Sequence, residues 1–186
     1  MKNLFFCFLI FISALVFGQD KSVIEKQFMH YNSLIVNREF DKSIDLYAHE
    51  GVLKIIPKDA LVEAMKVVFA NPEMEFKTYP PKDIVIEDSF QNFNGQTYVK
   101  MNFTQSLDIK YLDLDADSDL ILSALQAEFG YEKVKYNEES GFYEIRSGKS
   151  AVANSTDLKN WKFTILEKEQ IPFLKQFIPE TFLKNL

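Results

Sequence analysis

The residues of this chain best spaced for chemistry are four aspartates in alternation, Asp113, Asp115, Asp117 and Asp119. Oxygen ligands at positions 1, 3 and 5 of a loop are how a helix-flanked calcium site begins. The template then breaks. Ser118 stands where glycine makes the turn, and Ala124 stands where a bidentate glutamate completes the shell. The run is better read as a loop whose acids serve the next helix, with Asp117 or Ser118 capping it and Asp119 facing its dipole. A weak extracellular-type calcium site at Asp113, Asp115 and Asp117 is the alternative; otherwise no metal site and no cofactor is expected.

Other catalytic groupings are absent from the sequence. His30 and His49 are the two histidines, without the pairing of a zinc motif. His30 lies beside the apolar stripe of a helix. His49 ends a short helix, where a cation suits the dipole. Both read as surface or boundary residues. Gly148-Lys149-Ser150 lacks the upstream glycine of a phosphate loop and reads as a turn between two strands. No catalytic residue is assigned.

The elements that would position any site follow from hydrophobic period. Ile24, Phe28, Tyr31 and Ile35, with Leu34, give a helical stripe over residues 20–37. Phe40, Ile44 and Tyr47 predict a second helix, capped by Asp41 and stopped by Gly51. A third is predicted from Pro57, with Leu61, Met65, Val68 and Phe69 on its apolar side and Asn71-Pro72 at its end. Ile84–Ile86 reads as a strand and Asn94-Gly95 as a turn. Val99, Met101, Phe103, Leu107 and Ile109 then alternate with polar residues, predicting a long half-buried strand. Gln105 sits on the apolar parity of that strand. Either it lines a cavity or a bulge turns it outward. A helix over 118–129 closes at Gly130. Val134 and Tyr136, Phe142–Arg146, Ala151–Ala153 and Trp161–Leu166 predict further strands, and two short helical pieces flank Pro179.

Helices first, then strands with an inserted helix near 118–129, predict α+β: N-terminal helices on a curved, mainly antiparallel sheet. Here the chain resembles the NTF2-like family. YNSLIVNREFDKSIDLY is similar to its long helix followed by an acidic-aromatic second helix. LQAEFGYEKVKY, NWKF and IPETFLKNL are similar to segments of uncharacterised exported bacterial proteins of that cone-shaped fold. The resemblance implies a single domain over 19–186 and a cone pocket. Some relatives are isomerases or dehydratases in that pocket, with a buried carboxylate base and a tyrosine or acid as oxyanion donor. Here Tyr31, Tyr47 and Gln105 are the polar candidates, with no obvious inward acid.

The N-terminus bounds the compartment. Lys2, an apolar run from Leu4 to Phe17 and Gly18 before Gln19 predict a cleaved signal peptide over 1–18, and hence a periplasmic or secreted protein. Cys7 is the single cysteine and lies in that run, so the mature chain can form no disulfide. A formal net charge of −6 without a basic cluster argues against nucleic acid and against anionic membrane surfaces. Two functions compete. One is a non-catalytic small-ligand-binding or accessory module, its partner a small apolar ligand or a protein. The other is a small-molecule enzyme of isomerase or dehydratase type. A homodimer through the sheet face is compatible with both.

Overall fold

The computed structural model describes residues 21–112 and 117–184. The expected leader at 1–18, and Asp113 and Asp115 of the aspartate run, lie outside the described residues. Helix α1 covers 21–36. Its stripe forms as the period requires, with Ile24, Phe28 and Leu34 buried. Arg38 ends it in the left-handed region at φ 61, and the Glu39 N–H closes on Leu34 O at 2.8 Å.

α2 (Phe40–Tyr47) starts without a side-chain cap, so Asp41 sits in its first turn and is not the cap. α2 ends at Ala48, which turns extended and bridges Phe163. A separate helix follows, α3 (Glu50–Ile55), and Gly51 lies inside it. The expected stop at Gly51 is therefore corrected. A Cβ there would collide with the Phe177 side chain, so close packing, not chain reversal, explains the glycine. α4 (Lys58–Phe69) has Pro57 as its N-cap, not its first residue. Val68, expected on the apolar side, is half exposed.

The sheet is antiparallel and unclosed. Its strands are β1 (Met74–Thr78), β2 (Lys82–Ile86), β3 (Gln91–Phe93), β4 (Gln96–Tyr111), β5 (Val134–Asn137), β6 (Phe142–Ser155) and β7 (Lys162–Leu166). The 16-residue β4 and 14-residue β6 form its spine, in unbroken register from Thr97↔Ser155 to Ile109↔Tyr143. β1, β2 and β3 share the outer edge of β4, while β5 and β7 share that of β6. Asn94 and Gly95 both take positive φ in the β3–β4 turn, as a two-residue hairpin of this hand demands.

Phe142–Arg146 and Ala151–Ala153 are one strand, not two. Gly148-Lys149-Ser150 is mid-strand, paired with Thr104, Phe103 and Asn102, so its reading as a turn is corrected. β1 has no counterpart in the sequence reading; its pairing with Leu107–Tyr111 makes it a strand.

Between β4 and β5 stands α5 (Ser118–Phe129), packed with Leu107, Ile109 and Ile145. On the same face, α1 packs Ile24 and Phe28 against Val99, Met101, Phe103 and Phe163. The opposite face is covered at one end by the C-terminal tail, α6 (Ile171–Leu174) and α7 (Glu180–Leu183). There Leu174, Ile178 and Phe182 bury Tyr98, Val152 and Leu166. The molecule is thus α+β, with seven helices and seven strands among the described residues.

Candidate functional site

Three helices cannot close tightly on a sheet edge held by one short strand, and the gap is a cavity of about 410 Å³. α2 and α3 supply Ile44 and Val52, and α4 supplies Leu61 and Met65. β7 supplies Phe163, Thr164 and Ile165, and the tail closes one side with Phe173 and Leu174. Tyr31 of α1 completes the wall. A second cavity, of about 310 Å³, adjoins the first along Tyr31, Met65 and Ile165. It runs between α1, α4 and the sheet to Gln105 and Leu107. The walls of both carry no Asp, Glu, Lys or Arg among the described residues.

Two of the polar residues in the first wall, His49 and Thr164, carry atoms left without a partner. His49 is 3% exposed and Thr164 7% exposed. The His49 Nε2 and Thr164 Oγ1 atoms are buried and lack any hydrogen-bond partner. Leaving such a group unmade costs ~1–3 kcal/mol, so it needs a reason. Two further orphans, Asn154 Oδ1 and Trp161 Nε1, belong to neither cavity wall. Ser43, also in the wall, is satisfied by donating to Phe40 O at 2.8 Å.

His49 is held by its own helix start. It is the N-cap of α3, and its Nδ1 accepts the Gly51 N–H at 2.8 Å. With Nδ1 acting as acceptor, the neutral ring carries its proton on Nε2. Burial lowers its pKa to about 4, against a smaller opposing pull from Glu50, so the ring is uncharged near neutrality. Phe177 lies against it with ring centres 4.9 Å apart. The reading of His49 as a surface or boundary residue at the end of a helix is therefore corrected: it is a buried, neutral ring at a helix N-terminus. It also borders a third, more polar cavity beside Tyr98 and Phe177.

Of the residues picked from sequence, Tyr31 and Gln105 share the wall of the second cavity, and Tyr31 also faces the first. The Tyr31 hydroxyl has no hydrogen-bond partner among the described residues, and burial raises its pKa. Its ring stacks on Phe163 at 5.9 Å. Gln105 keeps the apolar parity, since β4 and β6 pair through it without a bulge. Its amide makes one long bond, 3.4 Å, to Ser106 O.

Tyr47 is not part of either cavity wall. Its hydroxyl lies 2.6 Å from Nδ1 of the exposed His30. Asp117 caps α5, accepting from the Asp119 and Leu120 N–H groups. Among the described residues no group of three His, Cys, Asp or Glu could hold a metal ion. Nor is any helix among them long and apolar enough to cross a membrane.

His49 and Thr164 carried no sequence signal beyond their types. One looked like a helix end and the other like an ordinary strand threonine.

No protein-family model matches the chain, and no curated protein or solved structure matches it either.

Proposed function

We propose that the chain is an exported, non-catalytic binding module of NTF2-like cone type that holds a small apolar ligand between its helices and β7. The observation that carries this reading is the about 410 Å³ cavity, apolar in most of its wall, with Ser43, His49, Thr164 and Gln170 among its few polar residues. An apolar pocket with a few placed polar groups is the usual form of a small-molecule site.

Isomerase or dehydratase chemistry needs a base. The two cavity walls hold no carboxylate among the described residues. The one histidine has its Nδ1 lone pair occupied by the Gly51 N–H, which leaves it a donor. Both facts favour binding over catalysis. Pairing of two copies through the open sheet face is compatible with the module. The uncovered end of that face is polar, with Arg146 on Asp108 at 2.7 Å and Lys77 3.7 Å over Phe142.

Native mass spectrometry of protein purified from its source compartment tests the reading. It is supported by a retained small molecule that is lost on denaturation. It is contradicted by a bare mass together with failure of every apolar probe to bind the purified chain.

A further inference from the structure

We propose that the two adjoining cavities take one ligand between them, an unbranched aliphatic chain that runs past Tyr31, Met65 and Ile165 from one into the other. This rests on the ligand-binding reading above and narrows it to a shape and a chemical class.

Shape carries the inference first. The cavities, of about 410 and about 310 Å³, share Tyr31, Met65 and Ile165 in their walls. These side chains do not pack as a single group. Tyr31 and Ile165 lean on the cluster around Phe28 and Phe163, while Met65 leans on that of Phe40, Ile44 and Val62. The seam between the cavities thus falls where two apolar clusters meet, and every residue along it is only half-buried. Met65, unbranched and flexible, is the side chain there most able to move aside. A fused-ring or globular molecule fits one lobe at a time. A chain the width of a methylene can follow both and cover apolar wall along its whole length.

The chemistry of the walls points the same way. Neither holds an Asp, Glu, Lys or Arg among the described residues. A charged head group would lose its hydration there without a counter-ion, so the part held inside is hydrocarbon. Several polar side chains of the two walls are already engaged within the protein. Ser43 donates to Phe40 O, Asn32 to Phe28 O, and the Tyr79 hydroxyl to the Asp108 carboxylate. The other polar residues each line one cavity only, so the seam is apolar but for the Tyr31 hydroxyl.

The test is calorimetric titration of the full chain with 1-dodecanol, 1-hexanol and 1-adamantanol, joined to isotope-filtered NOE spectra of the dodecanol complex. The probes share a lone hydroxyl and differ in length and shape. The inference predicts a single dodecanol per chain, bound at least about a hundredfold tighter than 1-hexanol and at least about tenfold tighter than 1-adamantanol. One end of the bound chain should give NOEs to the methyls of Val52 and Leu61, which line the first cavity only. The other end should give them to Val68 and Leu107, which line the second only. Two dodecanol molecules per chain, NOEs from both ends confined to one wall, or either other alcohol binding as tightly as dodecanol, would overturn the inference and leave the binding reading standing. If none of the probes binds, both fall.

Discussion

Gly51 donates its backbone N–H to His49 Nδ1 at 2.8 Å, and that one bond leaves Nε2 as the proton-bearing nitrogen of a buried imidazole. The glycine is needed for a second reason, because the Phe177 side chain fills the space where a Cβ would stand. Helix start, histidine tautomer and tail docking are thus tied together at one residue.

Gly51→Ala should therefore destabilise the chain by ~1–3 kcal/mol in urea unfolding, through overpacking and not through φ. Phe177→Ala should recover part of the loss in the double variant. Strict additivity of the two would show that they do not meet.

His49 makes stability depend on pH with a defined sign. Its pKa is about 4 folded and ordinarily near 6.5 unfolded. Between these values the unfolded chain binds the extra proton, so stability is full above pH ~6.5 and falls as the pH drops towards 4. The loss is on the order of 3 kcal/mol. Unfolding curves for the parent chain and His49→Asn should converge over this window as the parent loses stability. Parallel pH profiles would mean the ring is not buried neutral.

Much of the scaffold was legible because its signals are local. α1 buries Ile24 and Phe28 at helical spacing, and Val99, Met101 and Phe103 of β4 alternate over one buried face. β6 was not legible as one strand. Residues 151–155 are buried on both faces, by α1 on one and the tail on the other, which erases alternation, while Arg146 and Gly148 face outward and imitate a turn. The cavity was less legible still. Tyr31 and Gln105 could be chosen as polar residues on apolar stripes. His49 could not, because its role depends on Phe177 and β7 arriving from the far end of the chain.

Phe103 is a test of the sheet face. It is 3% exposed and meets Phe28 edge-on at 4.9 Å. Phe103→Ala should cost ~3–5 kcal/mol in denaturant unfolding. A loss below ~1 kcal/mol would place it outside the core.

Asp117 is committed to two backbone N–H groups at the start of α5, at 2.9 and 3.1 Å. Asp117→Ala should cost ~1 kcal/mol, and calcium at millimolar concentration should leave the melting temperature of the parent chain unchanged. A calcium-dependent rise that Asp117→Asn abolishes would return the aspartate run to metal binding.

The central claim is that the space between α2, α3, α4 and β7 holds a small apolar molecule. Methyl-resolved NMR of the full chain during titration with 2-octanone tests this most directly. The account predicts saturable shifts concentrated at Ile44, Val52, Leu61, Met65 and Ile165, whose side chains line that space. The methyls of Ile121 and Leu125, on the side of α5 packed against the sheet, should stay in place. Saturable shifts centred on the α5 side, or no saturable shift at any methyl, would contradict it.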